Sequence, residues 1–353
     1  MKIIFVNTLY PEMFHGIFKD INPTDLSYDE LLTLINESLC GDSNFYSKNI
    51  SMYGCNADDI YVNNNLLDEK WVDKFKDIRS IPTFFKQIEY YKPDIIYFQN
   101  ISFLTNEYYN YLNNNNIKIV GQIASPLPAN FNHKNYDILI SSFPHFVEYF
   151  RTLGVTSYYC KLAYEMEVSK LNKINRDITC SFIGSITKDH LERIELLEQL
   201  SIYVPEIKIW GKGYDQLPND SPILKHYQGE VWGKEMFKIL SRSQITVNIH
   251  INESKNYANN MRLYESTGQG AMLITDYKDN LNDIFNVGEE VIAYRSVSEC
   301  IKLVKYFILN KAERNKIAQA GNNKTLSNHT YNLRMRELRS ILFSHLNCNN
   351  KCI

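Results

Sequence analysis

No stretch of this 353-residue sequence approaches the roughly 18 consecutive apolar residues that a membrane-spanning helix needs. The opening MKIIFVNTLYPEMF has one lysine and a short apolar run before it turns polar, so it reads as a first strand and not as a secretory leader. Neither sign of charge is in excess. The net charge is −2, too small a field to hold nucleic acid or an acidic membrane strongly. Cysteine is sparse and scattered, with seven residues at 40, 55, 160, 180, 300, 348 and 352. Only Cys348 and Cys352 lie at metal-ligand spacing, and they sit in a polar Asn/Lys tail where fraying is expected. An odd, dispersed set fits a reducing cytoplasm, the expected location.

Against these absences stands a hydrophobic content of 44 %, enough at this length to bury two cores, so two domains are expected. Short apolar runs alternate with longer amphipathic ones. Strands are expected at Lys2–Val6, Asp94–Phe98, Ile117–Gly121 and Tyr136–Ser141, with helical patterns near Tyr28–Leu39, Trp71–Tyr91 and Ser102–Leu112. Such alternation without hairpin signals predicts parallel strands joined by crossover helices. The polar stretch Glu165–Asp177 reads as a linker. A second alternation follows, with strands at Thr179–Gly184, Glu206–Trp210, Gln244–His250, Ala271–Thr275 and Glu290–Ala293. The last helical pattern, Tyr331–Phe343, has no strand after it and is expected to cross back to the first half. The fold class is therefore α/β with two Rossmann-like domains: 1–165, 178–328, and a crossover helix and tail at 329–353.

Ligands of open parallel sheets collect at the carboxyl ends of strands, and with two sheets the expected site is the cleft between them. Three loops qualify. In Phe182-Ile183-Gly184-Ser185, Gly184 permits close backbone approach, and Ser185 and Lys188 offer donors to a phosphate; an ordinary strand-to-helix turn is the alternative. In Trp210-Gly211-Lys212-Gly213-Tyr214, Gly211 and Lys212 suit a phosphate or base, and a tight polar turn explains them equally well. The third is Asn259-Asn260-Met261-Arg262-Leu263-Tyr264-Glu265-Ser266-Thr267-Gly268-Gln269-Gly270. Asn260 is a good N-cap, and a helix start attracts anions through its N–H groups and dipole. Arg262 adds a fork suited to phosphate oxygens. Glu265 lies roughly 7–8 Å from the cap at the helical rise, near the span from a diphosphate to ribose hydroxyls. The competing reading is a plain i, i+3 ion pair between Arg262 and Glu265.

Four blocks carry a resemblance: CSFIGS (180–185), WGKGY (210–214), ITVNIH (245–250) and NMRLYESTGQGAMLITD (260–276). The tail adds Ala318–Gly321, Asn328–Tyr331 and Arg334. Over residues 178–340 the sequence resembles the spore-maturation-protein-like branch of nucleotide-sugar glycosyltransferases with the GT-B fold, whose C-terminal domain is of the group 1 type. The resemblance implies transfer of a sugar from a nucleotide-sugar donor to a glycan, lipid-linked or protein acceptor, in bacterial surface-glycan assembly. It implies a donor-binding second domain and an acceptor-binding first domain. Glu265 then holds the donor ribose, Asn260 and Arg262 face the diphosphate or sugar, and Ser185, Lys188 and Arg193 fall among phosphate ligands. His250 is expected to touch the donor. His15, after the first strand, is the candidate catalytic residue of the first half alongside Arg262, with a solvated loop histidine as the alternative. His329 is expected to be structural. No cofactor or metal is expected, in keeping with the lack of an Asp-x-Asp triplet, and retention of configuration is favoured over inversion. Upstream of Glu265, where the wider group carries a second glutamate, stands Ala258, which sets a question against retention. An epimerase or hydrolase on the same fold, or a non-catalytic carbohydrate-binding protein with a degenerate donor site, are the alternatives. No nucleic-acid partner is expected. Arg334, Arg336 and Arg339 offer a weak peripheral contact with acidic lipid at the inner membrane face.

Overall fold

The structure is a computed structural model that describes residues 1–19, 21–76, 81–129, 131–172, 175–187 and 190–346. It divides into unit 1, Met1–Lys161 with Tyr331–Ile353, and unit 2, Leu162–Thr330.

Unit 1 is built on six strands: β1 (Lys2–Asn7), β2 (Asn56–Tyr61), β3 (Ile95–Phe98), β4 (Lys118–Gln122), β5 (Ile138–Ser141) and β6 (Ser157–Tyr159). Their order is β2-β1-β3-β4-β5-β6 and every pairing is parallel. The strands read as continuous apolar runs because helices cover both faces of a parallel sheet. Those helices are α1 (Pro11–Ile17), α2 (Tyr28–Glu37), α3 (Phe45–Ser51), α4 (Asn65–Phe75), α5 (Thr83–Tyr91), α6 (Asn106–Asn114) and α7 (Pro144–Thr152). A capping box opens α2, with Ser27 and Glu30 satisfying each other's backbone N–H groups.

Unit 2 carries β7 (Ile178–Ile183), β8 (Ile207–Trp210), β9 (Ser243–Asn248), β10 (Met272–Asp276) and β11 (Ile292–Tyr294), in the order β11-β10-β9-β7-β8 and again all parallel. Its helices are α8 (Leu191–Tyr203), α9 (Gly233–Arg242), α10 (Met261–Gly268), α11 (Val297–Leu309) and α12 (Lys311–Asn328). Leu196, Leu200, Ile245, Val247, Met272, Ile274 and Val304 form the centre of its core. The last helix, α13 (Tyr331–His345), belongs to unit 1. Tyr331 packs its ring on Phe45 and Tyr46 and donates its hydroxyl to Asp42 at 2.7 Å.

The fold is the expected one, with differences of detail that have identifiable causes. Trp71–Tyr91 is not one helix. Lys76 turns left-handed at φ 52° and closes α4, and α5 restarts behind Pro82. Strand β2 was masked by the two acids of NADDIY. One of them, Asp59, is buried and accepts from Asn7 Nδ2 (2.8 Å) and from Ser47 Oγ. The polar stretch Glu165–Asp177 is not a free linker. Its described residues are tied into unit 2: Gln269 Nε2 donates to the Val168 carbonyl at 3.1 Å, and Arg176 donates to the carbonyls of Ser241, Ser243 and Gln269. Among the described residues no helix is long and apolar enough to cross a membrane. Arg334 is 5 % exposed and pairs with Glu337 at 2.6 Å, so its guanidinium is not presented to a lipid surface; Arg336 is exposed.

Candidate functional site

The sheet of unit 2 reverses its direction of growth beside β7, with β8 on one side and β9, β10 and β11 on the other. Loops leaving the two central strands of such a sheet diverge and open a crevice at their carboxyl ends. The candidate residues of unit 2 gather around this edge.

The loops after β7 and β8 are laced together. Gly184 N–H donates to the Trp210 carbonyl (2.9 Å), Ile186 N–H to the Lys212 carbonyl (2.9 Å), and the Tyr214 hydroxyl to the Gly184 carbonyl (2.9 Å). A Cβ on Gly211 would stand 2.2 Å from the Gly184 oxygen, and one on Gly213 would stand 2.1 Å from the Ile186 oxygen. Contact between the two loop backbones therefore accounts for both glycines of WGKGY. Ser185 is half-buried, and its carbonyl accepts from Arg193 on α8. The same guanidinium reaches the Ile249 carbonyl at 3.5 Å, joining the exits of β7 and β9. Burial pulls the Arg193 pKa below its ordinary range. Tyr214 and Asp276 oppose that shift, and the positive charge of Arg262 adds to it. Two guanidinium groups thus act on each other at the switch point. Lys188 lies outside the described residues.

Helix α10 starts over the end of β9. Asn260 is extended at φ −153°, its side chain accepts from Leu263 N–H at 3.3 Å, and its Nδ2 donates to Asn248 Oδ1 at 2.9 Å. Asn248 in turn donates to the Thr275 hydroxyl (2.9 Å), so the helix start is tied to β9 and β10. One turn in, Arg262 Nη1 lies 2.8 Å from Glu265 Oε2, and both Nη atoms lie 3.5 Å from the Met236 sulfur on α9. The ion pair allowed by the i, i+3 spacing is therefore formed, with side chains only 14 % and 9 % exposed. At the helix exit, Gly270 takes φ +74° and closes the last turn, as C-terminal glycines do. Gly268 faces the Tyr164 ring, where a Cβ would come within 2.4 Å.

His250 follows β9 and is 4 % exposed. Its backbone N–H and Nδ1 both approach Asp276 Oδ1, at 3.0 and 2.6 Å, and Nε2 is buried without a partner among the described residues. Burial alone would raise the Asp276 carboxyl, but the His250 hydrogen bonds and the charges of His250 and Lys278 hold it below the usual carboxylate range. Beside this pair a cavity of about 440 Å³ opens at the ends of β9, β10 and β11, lined by Ile249, Asp276, Tyr277, Lys278, Tyr294 and Arg295 among others. Asn248, Asp276 and Lys278 did not stand out in the sequence. The signal available was a polar residue closing an apolar strand run, as in ITVN and MLITD.

Ala258 is buried and pinned by Asn280, whose Oδ1 accepts from the Ala258 N–H at 2.5 Å. The whole segment 256–260 contains no carboxylate. Glu253, in the short turn Asn252–Ser254, is half-buried. His329 is buried between the rings of Tyr264 and Phe285, with Nε2 2.9 Å from the Ile284 carbonyl, which is the structural placement expected. In unit 1, residue 15 falls within α1; the His15 side chain lies outside what is described.

Residues 190–340 match a family model described as glycosyl transferase-like. No curated protein matches the chain. Among solved structures, HepE of Anabaena in complex with UDP-glucose is similar at a TM-score of 0.60 and 11 % identity, over 98 % of this chain and 100 % of that one. Sucrose-phosphate synthase of Thermosynechococcus elongatus gives 0.59 and 11 %, over 98 % and 99 %. A glycosyltransferase of Rickettsia africae gives 0.60 and 14 %, over 99 % of both chains. The fold of this chain, two Rossmann-like units on parallel sheets, is that of the GT-B glycosyltransferases.

Proposed function

We propose that the chain is a nucleotide-sugar-dependent glycosyltransferase whose unit 2 binds the donor and whose unit 1 binds a glycan, lipid-linked or protein acceptor. One observation carries the reading. Within the glycosyl transferase-like segment, Arg193, Arg262 and the capped start of α10 converge on the switch point of a parallel sheet, with a carboxylate one turn further on. Cations and helix N–H groups aimed at a departing diphosphate stabilise the charge that develops as the glycosidic bond breaks. In this reading Arg262 and Arg193 take the phosphates, with Ser185, Lys188 and Lys212 as further ligands, and no metal is required. Glu265 accepts hydrogen bonds from the ribose diol. His250, held by Asp276, meets the sugar. His15 remains the candidate catalytic group of unit 1. Retention of configuration is the favoured outcome, and surface-glycan assembly the favoured setting, on the cytoplasmic side of the membrane.

A second reading, a binding protein with a degenerate donor site, draws on the absence of a carboxylate in 256–260. A thermal-shift screen with UDP-, GDP-, CMP- and dTDP-sugars separates the two, because a ligand that binds only the folded state raises its stability. A shift with one donor class, followed by release of the free nucleoside diphosphate only when an acceptor is added, supports transfer. No shift with any donor rejects it, and release without acceptor indicates hydrolysis.

A further inference from the structure

At the amino-terminal edge of the unit 2 sheet, opposite the strand ends just described, a separate cavity of about 450 Å³ is lined by Arg176, Arg314, Gln244, Asn315, Gln319 and Asn322, with no acidic side chain among its described lining residues. The carboxyl ends of helices α9, α10 and α11 converge here, and their carbonyls explain part of what the arginines do. Arg176 donates to Ser241, Ser243 and Gln269, and Arg314 Nη1 donates to Phe307 (3.0 Å) and Ile308 (3.3 Å). Helix ends carry only partial negative charge, however, and among the described residues no carboxylate pairs with either cation. Burial lowers both guanidinium pKa values. Arg314 is 4 % exposed, and its Nε is buried without a partner among the described residues. Gly270 is needed for the same construction, since a Cβ there would stand 2.6 Å from Arg176 Nη2.

A buried guanidinium with an unused donor calls for an acceptor, and a charged acceptor gives the stronger bond. The remaining lining is largely amide: Gln319 Nε2 donates to Asn323 Oδ1 and Asn322 Nδ2 to the Thr267 and Gly268 carbonyls, and amide oxygens accept from hydroxyl groups. The cavity is also several times larger than a bare oxyanion needs. We propose that this edge of unit 2 is a second ligand site that takes a phosphate monoester carrying hydroxyl groups, with the phosphate on Arg314 and Arg176 and the hydroxyls on the amides of Asn315, Gln319 and Asn322. The site is independent of the donor reading and lies at the opposite end of the same strands.

Calorimetry with inorganic phosphate, glucose and glucose 6-phosphate tests the proposal on the full chain. The expected order is glucose 6-phosphate tightest, phosphate weaker, and glucose without effect. Arg314→Gln should abolish the response. Because Arg314 also caps α11, a second variant is needed: Gln319→Glu, at an exposed helix position, sets a like charge against the ligand without touching the cap. Solvent screens part of the repulsion at this exposed position, so affinity should fall about tenfold. Arg262→Gln, at the other edge, should leave it unchanged. No heat with glucose 6-phosphate in the wild type overturns the proposal. So does a response that survives Gln319→Glu but is lost in Arg262→Gln, which would assign the anion to the switch point. Equal affinity for phosphate and its ester removes the hydroxyl-bearing ligand. Nucleotide binding measured on Gln319→Glu reads the donor proposal separately.

Discussion

Arg262 and Glu265 close on each other across one turn of α10 at 2.8 Å, with the guanidinium seated against the Met236 sulfur. The pair lies in the first turns of a helix, with Arg262 next to the amino-terminal end that favours an anion and Glu265 one turn nearer the exit. Glu265→Ala leaves a largely buried arginine without its carboxylate. The fold should survive with a loss of about 1–3 kcal/mol, below the range for fully buried pairs because both side chains retain some exposure. Nucleotide affinity should fall at least several-fold. Calorimetry showing unchanged affinity would end the ribose assignment.

The two glycines of WGKGY offer a sharper structural test. Gly211→Ala and Gly213→Ala each drive a Cβ into a carbonyl of the neighbouring loop, at 2.2 and 2.1 Å, in backbone conformations of φ +144° and +89°. Gly229 is also left-handed, at φ +100°, but meets nothing within 4 Å. Strain alone costs about 1–3 kcal/mol and displacement of packed backbone adds to it. Thermal denaturation should therefore place Gly229→Ala above the other two, and an equal loss at all three would show that the loop contact is not what the glycines serve.

Asp276 sets an acid limit on unit 2. Its folded pKa is depressed, so the stabilisation it contributes is present above the usual carboxylate range and is lost as pH falls through the folded value. Asp276→Asn should lower the melting temperature at pH 7 and flatten its decline in acid, with the two proteins converging only below the folded pKa of Asp276. A parallel decline in both would remove the His250–Asp276 pair from the account.

Asp59 in unit 1 acts with the opposite sign. Burial, the leading cause, pushes its carboxyl to about 7, while Ser47 and Asn7 offset part of that shift. A raised folded pKa means that ionisation costs stability as pH climbs from the unfolded value of about 4 toward 7. Asp59→Asn keeps the hydrogen-bonding shape, so its melting temperature should exceed the wild type at pH 8 and match it near pH 4. A variant less stable at both values would show that the carboxylate is needed charged.

Much of this architecture can be read from residue order because parallel strands buried on both faces leave plain apolar runs, as in KIIFVN and MLITD. The start of α10 was legible for the same local reason: Asn260 caps the turn that its own neighbours form. What escaped depends on distant partners. Asp59 is acceptable in a strand only because Asn7 and Ser47 meet it, and Arg176 ties down a polar segment through carbonyls more than sixty residues away. The roles of Arg262 and Glu265 divide along the same line. Their spacing gave the ion pair, while the nearby charge of Arg193 required the folded sheet.

Helix α13 returns the end of the chain to the unit where it began, and Tyr331 fills the space between Phe45, Tyr46 and Asp42. During synthesis, therefore, unit 2 has all of its residues before unit 1 does. Until residues 331–345 emerge, Phe45 and Tyr46 of unit 1 lack the Tyr331 ring that packs on them. A message truncated shortly before residue 331 would yield an intact second unit joined to an unfinished first one, so loss of a few dozen terminal residues should be felt at the opposite end of the sequence.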